Sequence, residues 1–216
     1  MLLFIMISIQ KKSLEAVTLD DFNGWPRLSS WIPRHSEVRK IVDYANIIKN
    51  PKLLDLGCGT GFLTSLFARE GLNSLGVDLK LTEQSRRAYS GVKNLKLEDG
   101  DVYEEKFYKE RNIGFNSWMP GGIDWSGCFV CGKRFPLIIY IKSNATGIQP
   151  QMQANPNNLD SYKTPIGFVD VDRWNCFGHD DFLSDETPKI ISKSGEVIVQ
   201  ATRDFYEKNK IMFSKI

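Results

Sequence analysis

Leu53-Leu54-Asp55-Leu56-Gly57-Cys58-Gly59-Thr60-Gly61-Phe62-Leu63 is the stretch of this chain that decides its fold. Its leucines surround Asp55 in a short apolar run typical of a strand buried on both faces, and three glycines follow at alternate positions. From Phe62, apolar residues repeat at helical spacing as far as Gly71, which predicts a helix of about two to three turns. A strand, a glycine turn and a helix in this order are typical of the phosphate- or nucleoside-binding opening of a βαβ unit.

The three glycines determine what the turn can bind. Gly57, Gly59 and Gly61 lack a Cβ, so the backbone can adopt positive φ and approach a ligand closely. The N–H groups at the start of the next helix then point towards the ligand. A dinucleotide fingerprint needs glycine at position 62, where this chain has Phe62, and a P-loop needs a Gly-Lys-Ser/Thr sequence that is also missing. The turn therefore indicates a different nucleoside ligand.

The segment from Asp55 to Gly61 closely resembles the first motif of the class I S-adenosylmethionine-dependent methyltransferases, which have a Rossmann-like fold. The resemblance implies an α/β fold with a mostly parallel seven-stranded sheet flanked by helices, an antiparallel strand near the C-terminus and a loop-rich second half. It also implies that S-adenosyl-L-methionine contacts Asp55, Gly57, Cys58, Gly59 and Gly61. The alternative is a buried strand that ends in a flexible turn, but this alternative explains neither Asp55 nor the glycine spacing.

Chain length and charge restrict the classes of protein. A chain of 216 residues is long enough for one well-buried α/β domain and short for two. We expect a lead-in segment over 1–35 and a single methyltransferase-like domain over 36–216. The 28 basic and 26 acidic residues nearly balance, which does not favour a nucleic-acid substrate.

The cysteine content and the N-terminus predict a cytoplasmic protein. Four cysteines without a secretory signal suggest a reducing compartment. The segment Met1–Ile9 is almost wholly apolar, but nine residues are too few to cross a bilayer. It also lacks the preceding basic residue and the following small residues of a signal peptide. We therefore expect no association with a membrane.

A second acidic residue follows the glycine turn at the spacing found in nucleotide-binding folds. Residues 74–79 read as a second strand, and Asp78 lies 17 residues after Gly61. A carboxylate at the tip of this strand can accept hydrogen bonds from both ribose hydroxyls of a nucleoside. By resemblance, Asp78 and its neighbour Leu79 belong to the cofactor site. The alternative is an ordinary solvated aspartate at a strand end.

A third acidic position follows the next strand. Residues 95–102 read as a strand and an acidic turn. By resemblance, Asp101 accepts a hydrogen bond from the adenine amine, and Val102 lies against the ring. Asp99 is the alternative for this role, and the Gly-Asp-Val sequence favours Asp101 because it is closer to the family pattern.

The loop after the predicted fourth strand is the candidate catalytic region. In the resembling family this loop lies over the methyl group, so we place Asn116, Trp118, Asp124 and Trp125 nearest the acceptor, with Asn116, Trp118 and Asp124 as the candidate catalytic residues. The face of Trp118 can stabilise a sulfonium cation by about 0.5 to 2 kcal/mol. The alternative is that both tryptophans only pack the loop. Many amino-methylating relatives have Asn/Asp-Pro-Pro-aromatic at this point. This chain departs from that motif, so the loop does not support methylation of a base or a glutamine.

Other elements are predicted by periodicity. A helix begins near Ser36 as N-cap and ends before Pro51. The apolar, β-branched run 135–142 reads as the fifth strand. Two further strands, 166–171 and 196–202, are expected to form the antiparallel pair that closes this kind of sheet.

Two pairs of residues have spacing that suits zinc. Cys128 and Cys131 form a Cys-x-x-Cys, and Cys176 and His179 repeat the two-residue gap. Together they supply four ligands of the types that bind tetrahedral zinc, if the fold brings the pairs together. The alternatives are free thiols with a surface histidine, or a redox pair.

Three functions are consistent with these motifs. The leading hypothesis is a methyltransferase that transfers the methyl group to an unidentified acceptor, with a small molecule or a protein favoured by the balanced charge. The rival is a non-catalytic S-adenosylmethionine-binding or regulatory protein, suggested by the atypical loop. A third is an enzyme that moves the aminopropyl group of the decarboxylated cofactor. The sequence does not indicate the oligomeric state.

Overall fold

The computed structural model describes residues 31, 33–117, 125–130, 135–143, 164–179 and 190–216. Helices and strands alternate through most of this part of the chain. In order they are α1 (His35–Asn46), β1 (Lys52–Leu56), α2 (Phe62–Arg69), β2 (Asn73–Asp78), α3 (Glu83–Tyr89), β3 (Leu95–Asp99), a 3-10 helix (Glu105–Tyr108), β4 (Ile113–Asn116), α4 (Ser126–Val130), β5 (Leu137–Ser143), β6 (Phe168–His179), β7 (Ile190–Thr202) and α5 (Arg203–Phe213). None of these helices is long and apolar enough to cross a membrane.

The seven described strands form one sheet in the order β3-β2-β1-β4-β5-β7-β6. β1 to β5 are parallel, and β7 is antiparallel to both of its neighbours, β5 and β6. This arrangement confirms the predicted α/β fold with a mostly parallel seven-stranded sheet and an antiparallel C-terminal part. The strand order reverses at β1, which pairs with β2 on one side and β4 on the other. Ligands of open α/β sheets bind outside the carboxyl ends of the strands at such a point.

The sheet separates two apolar layers, because successive side chains of a strand point to opposite faces. On the first face, here called the α2 face, Leu53 and Ile139 pack with Phe67 in one buried cluster. On the second, here called the α4 face, Leu54 packs in a cluster that contains Phe129. The central strands are therefore covered on both faces, as the continuous apolar runs in the sequence predict.

The start of α1 differs from the prediction. The helix begins at His35 with Arg34 as its N-cap, whereas the predicted cap, Ser36, is exposed. The carboxylate of Glu37 accepts a hydrogen bond from the Arg34 backbone N–H at 2.7 Å. The indole N–H of Trp174 on β6 donates to the same carboxylate at 2.9 Å. The helix start is thus determined by a side chain that also binds the distant sheet edge.

The antiparallel pair was predicted correctly in type but too short, because β6 and β7 both extend well beyond the predicted ranges. Because many side chains of β6 are polar, a search for apolar runs detects only the start of this strand. Asp170 accepts from the Gln200 amide at 2.7 Å, and Asp172 accepts from the Tyr44 hydroxyl at 2.7 Å. Lys40 forms an ion pair with Asp172 at 2.6 Å. Charged side chains of this kind protect an edge strand from pairing with other chains.

Candidate functional site

The glycine turn lies at the carboxyl end of β1, where the sequence places it. The backbone N–H groups of Gly57 and Cys58 both donate to the carbonyl of Val77 on β2, at 2.8 and 3.1 Å. Gly57, Gly59 and Gly61 have φ values of 68°, 57° and 81°. Such values favour glycine, so the three glycines are required by the conformation of the turn.

The surroundings of the three glycines identify the side from which a ligand can approach. A Cβ at Gly57 would lie 2.2 Å from the ring of Trp125, and a Cβ at Gly61 would lie 2.7 Å from Leu97. A Cβ at Gly59 would have no atom within 4 Å. Gly59 is therefore the point at which another molecule can come closest to this backbone.

The side chain of Cys58 is turned towards the sheet. A Cβ at Gly76 on β2 would lie 2.8 Å from the Cys58 sulfur. Burial raises the pKa of the Cys58 thiol well above its ordinary value, and the charges of Asp55 and Asp78 act in the same direction. We therefore expect the backbone of Cys58, and not its side chain, to contact the cofactor.

Asp78 points towards the glycine turn. Its Oδ2 accepts a hydrogen bond from the Gly59 N–H at 2.8 Å, whereas its Oδ1 has only a long contact of 3.5 Å with the Lys80 N–H. Oδ1 of Asp78 can therefore accept a hydrogen bond from a ligand that lies beside Gly59. Leu79 follows Asp78 and is 72% exposed. The structure brings both predicted residues next to the turn.

Asp55 is buried below the start of α2. Its Oδ2 accepts from the Thr64 hydroxyl at 2.5 Å, and its Oδ1 has no hydrogen-bond partner among the described residues. Burial raises the pKa of Asp55 to about 8; the charge of Asp78 adds to this increase, and the Thr64 hydrogen bond opposes it. Asp55 is therefore a protonated, internal member of the site at neutral pH.

The two candidates for the adenine-binding acid have different environments. Asp99 already accepts from the Leu81 N–H at 2.6 Å and pairs with Arg86. Asp101 is exposed, and only its Oδ1 is engaged, by the Tyr103 N–H at 3.0 Å. Asp101 therefore has the more available carboxylate, in agreement with the preference drawn from the sequence, although its role stays a prediction.

Val102 and Tyr103 follow Asp101 in the loop after β3. Val102 is buried, and its carbonyl accepts a hydrogen bond from the Tyr108 hydroxyl. Tyr103 is 63% exposed. Sequence reasoning did not select Tyr103, although an aromatic residue two positions after the candidate acid was a usable signal. Tyr103, and not the buried Val102, therefore offers an exposed apolar surface next to Asp101.

On the side of the site predicted to bind the acceptor, the structure describes Asn116 and Trp125. Asn116 at the end of β4 is fully buried, and its Nδ2 donates to the Leu56 carbonyl at 2.9 Å. None of the residues that the structure describes donates a hydrogen bond to its Oδ1. Trp118 and Asp124, the other predicted catalytic residues, lie outside the described residues. The sequence places Trp125 near the acceptor, and the structure shows that its ring packs on Gly57.

Within the part of the chain that the structure describes, three buried polar atoms around the turn have no hydrogen-bond partner. They are Asp55 Oδ1, Thr60 Oγ1 and Asn116 Oδ1. Asp55 belongs to β1, Thr60 to the turn and Asn116 to β4, so all three lie at the carboxyl ends of the two central strands. A buried polar group without a partner is rare and calls for a bound molecule or water. With the free space at Gly59, these atoms fit a polar ligand.

The predicted zinc site is not supported. Cys128 packs against the cluster on the α4 face, whereas Cys176 is 1% exposed within the cluster on the α2 face. The sheet separates the two sulfur atoms, so a single ion cannot bind both. Burial raises the pKa of the Cys176 thiol, which further disfavours metal binding. Cys131 and the side chain of His179 lie outside the described part, and within that part no group of three or more ligating side chains is found.

Comparisons with known proteins identify the fold. No protein-family profile and no curated sequence matches the chain. Among solved structures, a proposed RNA methyltransferase from Pyrococcus horikoshii is 15% identical, with 91% of this chain and 96% of that one covered and a TM-score of 0.54. An S-adenosylmethionine-dependent O-methyltransferase from Thermotoga maritima is 14% identical, with 86% and 71% covered and a TM-score of 0.53. The protein therefore has the class I methyltransferase fold that its first motif predicts.

Proposed function

We propose that this protein is an S-adenosyl-L-methionine-dependent methyltransferase. The observation that carries the proposal is the carboxylate of Asp78, which the Gly59 N–H holds at 2.8 Å beside the glycine whose surroundings are open. A carboxylate fixed at this point can accept hydrogen bonds from the two hydroxyls of a ribose, and the bare backbone at Gly59 allows the rest of a nucleoside to lie against the turn.

The neighbouring residues fit an adenosyl group. Leu79 offers an exposed apolar surface next to the proposed position of the ribose. Asp101 accepts a hydrogen bond from the Tyr103 N–H through Oδ1, and its other carboxylate oxygen can accept one from the amine of the adenine. Among the described residues, Asp55 Oδ1 near the end of β1 and Thr60 Oγ1 on the turn have no hydrogen-bond partner, and they are the candidates for binding the amino-acid part of the molecule. Each part of the ligand thus has a chemically suitable residue near the turn.

Catalysis in this proposal depends mainly on position. S-adenosylmethionine supplies, when bound, a methyl group that is already activated by a sulfonium. The residues of the chain then need to hold an acceptor in line with it, which removes much of the entropic barrier. Asn116 is suited to this task because its Oδ1 is a buried acceptor without a partner.

The orientation of Asn116 restricts the acceptor. The Leu56 carbonyl can only accept a hydrogen bond, so the amide group that faces it must be the NH₂. The free atom of Asn116 is therefore its oxygen, which accepts but does not donate. We propose that the acceptor nucleophile carries an N–H or O–H group and belongs to a small molecule or a protein, since the chain's 28 basic and 26 acidic residues nearly balance.

A non-catalytic S-adenosylmethionine-binding protein is the second candidate. It is favoured by the Trp125 ring, which packs directly on Gly57, and by the complete burial of Asn116. Both features reduce access to the side of the turn that an acceptor would use.

Calorimetric titration tests the binding step. We expect the wild-type protein to bind S-adenosylmethionine and S-adenosylhomocysteine, and Asp78→Asn to weaken both by about 10- to 100-fold, since hydrogen bonds to a charged group contribute about 1.5 to 3 kcal/mol. Asp204→Asn, a change at an exposed aspartate in the first turn of α5, is the matched control and should bind normally. Absence of binding by the wild-type protein would refute the proposal.

A methyl-transfer assay separates the two candidates. S-adenosylmethionine with a labelled methyl group is incubated with fractions of cell extract that contain small molecules, proteins or RNA. We expect labelled product in the small-molecule or protein fraction, and less of it with Asn116→Ala. Binding without product in any fraction would favour the non-catalytic protein, and a labelled RNA would contradict the proposed acceptor class.

A further inference from the structure

Most of the exposed apolar side chains that the structure describes lie on α5 or beside it. Among the described residues six large apolar side chains are exposed, and two of them, Leu79 and Tyr103, belong to the candidate cofactor site. The other four are Ile166, Ile211, Met212 and Ile216. Three of these are on α5 or in the turn after it, and Ile166 precedes Gly167, whose carbonyl accepts a hydrogen bond from the N–H of Arg203 at the start of α5. Exposed apolar residues gathered in one place mark an interaction surface.

α5 has one buried face and one exposed face. On the buried face, Phe213 contacts the ring of Tyr44 on α1, with ring centroids 6.1 Å apart. Phe205 and Tyr206 pack against the same apolar cluster. Ile211 precedes Phe213 by two residues, which corresponds to a rotation of about 200° around the helix. It therefore lies on the opposite face, where it is 73% exposed.

Charged residues of opposite sign flank Ile211 on this exposed face. Glu207 lies one turn before Ile211 and Lys215 one turn after it, and both are exposed. Ser214, the C-cap, keeps right-handed helical backbone angles, so Lys215 stays close to the helical path. Residues four apart are neighbours on a helix surface. Within the described part of the chain, neither Glu207 nor Lys215 forms an ion pair.

We infer that α5 is a dimerisation surface, on which the α5 of a second copy of this chain lies antiparallel around a two-fold axis at Ile211. A two-fold interface joins the same patch of both subunits, so residues at equal distances on the two sides of the axis face each other. Glu207 and Lys215 each lie about 6 Å from Ile211 along the helix, at a rise of 1.5 Å per residue. Glu207 of each copy therefore faces Lys215 of the partner subunit, and the two Ile211 side chains pack together.

The distribution of charge favours this occupant over others. Asp204 and Glu207 are exposed on the first half of α5, and an anionic membrane surface would repel both. A parallel pair of helices would set each charge opposite its own copy, which is unfavourable. Only the antiparallel pair gives two attractive contacts around a shared apolar centre. The inference does not depend on the proposed function, since none of these residues lies at the glycine turn.

The size of the surface predicts a weak dimer. α5 has 11 residues and is therefore about 16 Å long. Interfaces that bury less than about 1,200 Å² are typical of transient complexes. We expect a monomer–dimer equilibrium with a dissociation constant of about 10 to 100 µM at low salt. The two exposed ion pairs together change this constant by about 2- to 30-fold.

Sedimentation equilibrium of the full chain measures the association. In low salt, the apparent mass should rise from 24.6 kDa towards twice that value between about 5 and 500 µM protein. Glu207→Lys and Lys215→Glu should each weaken the dimer at least about tenfold, because either change turns both attractive contacts into repulsive ones. Lys93→Glu, a charge reversal at an exposed residue between α3 and β3, is the matched control and should associate as the wild type does.

A mixture of the two single variants tests the antiparallel pairing. Each variant alone sets like charges opposite each other, whereas a heterodimer of Glu207→Lys with Lys215→Glu again joins a lysine to a glutamate at both contacts. We expect the equimolar mixture, and the double variant E207K/K215E alone, to associate about as tightly as the wild type. A mixture that stays as monomeric as its components would overturn the inference. Circular dichroism of the dilute variants verifies that these exposed changes leave the fold intact.

The wild-type protein gives a second measurement that needs no variant. Its dimer should weaken about 2- to 30-fold when the salt concentration rises from about 0.05 to 0.5 M, because salt screens exposed charges. A wild-type protein that remains monomeric at about 500 µM in low salt would overturn the inference. A monomer that instead floats with vesicles of anionic phospholipid would assign this face to a membrane and would also overturn it. Association that neither salt nor the two single variants change would place the contact elsewhere, with the same consequence.

Discussion

Replacement of Gly57 by alanine tests the contact between the glycine turn and Trp125. Alanine at a φ of 68° is strained by about 1 to 2 kcal/mol. In addition, its Cβ would lie 2.2 and 2.8 Å from two carbons of the Trp125 ring, so the indole or the turn has to move. Overpacking of this kind costs about 1 to 3 kcal/mol. We therefore expect Gly57→Ala to lower the free energy of unfolding by about 2 to 5 kcal/mol.

Gly59→Ala is the matched control in the same turn. Its φ is 57°, and a Cβ there would have no atom within 4 Å, so only the strain of about 1 to 2 kcal/mol remains. Urea unfolding with linear extrapolation gives both free energies on one scale. In a Trp125→Ala background, the effect of Gly57→Ala should fall to that of Gly59→Ala. If the two glycine substitutions are equally destabilising in the wild-type background, Trp125 does not lie on Gly57 and the reasoning is wrong.

Two further predictions concern ionisable groups. The folded protein keeps the Asp55 proton up to about pH 8, whereas the unfolded chain loses it near the ordinary value of 3.8, so the free energy of unfolding should fall between about pH 4 and 8 by up to about 1.4 kcal/mol per pH unit. Asp55→Asn should flatten this dependence in urea unfolding over a pH series, and an equal slope in the variant would contradict the assignment. Burial raises the pKa of the thiols of Cys58 and Cys176, so Ellman's reagent at pH 8 should modify both at least about 100-fold more slowly in the native protein than in urea. Rapid native labelling of either, located by mass spectrometry, would exclude its described position.

The parts of the molecule that were predictable from the sequence have local causes. The strand, the turn and the helix around Gly59 are specified by consecutive residues, because positive φ favours glycine and apolar periodicity distinguishes strands from helices. The position of Asp78 beside the turn is also predictable, because the carboxyl ends of neighbouring parallel strands meet at one edge of the sheet. These features need no knowledge of distant contacts.

The remaining features depend on residues far apart in the chain. The start of α1 follows from Glu37, which binds Trp174 across 137 positions. The zinc prediction failed because spacing gives no information about which face of the sheet a residue occupies, and Cys128 and Cys176 lie on opposite faces. Contact between Trp125 and Gly57 likewise requires the chain to return over the turn, and nothing in the sequence near either residue indicates this.

The position of β7 has a consequence for biosynthesis. This strand lies between β5 and β6, and its residues 197–201 are fully buried. During translation, β5 is complete about 50 residues before β7 begins to emerge, so its free apolar edge stays exposed for several seconds at about 5 to 20 residues per second. We expect nascent chains that stop before residue 190 to be substrates for chaperones and proteases, because the sheet gains this inner strand only after β5 and β6 have been made.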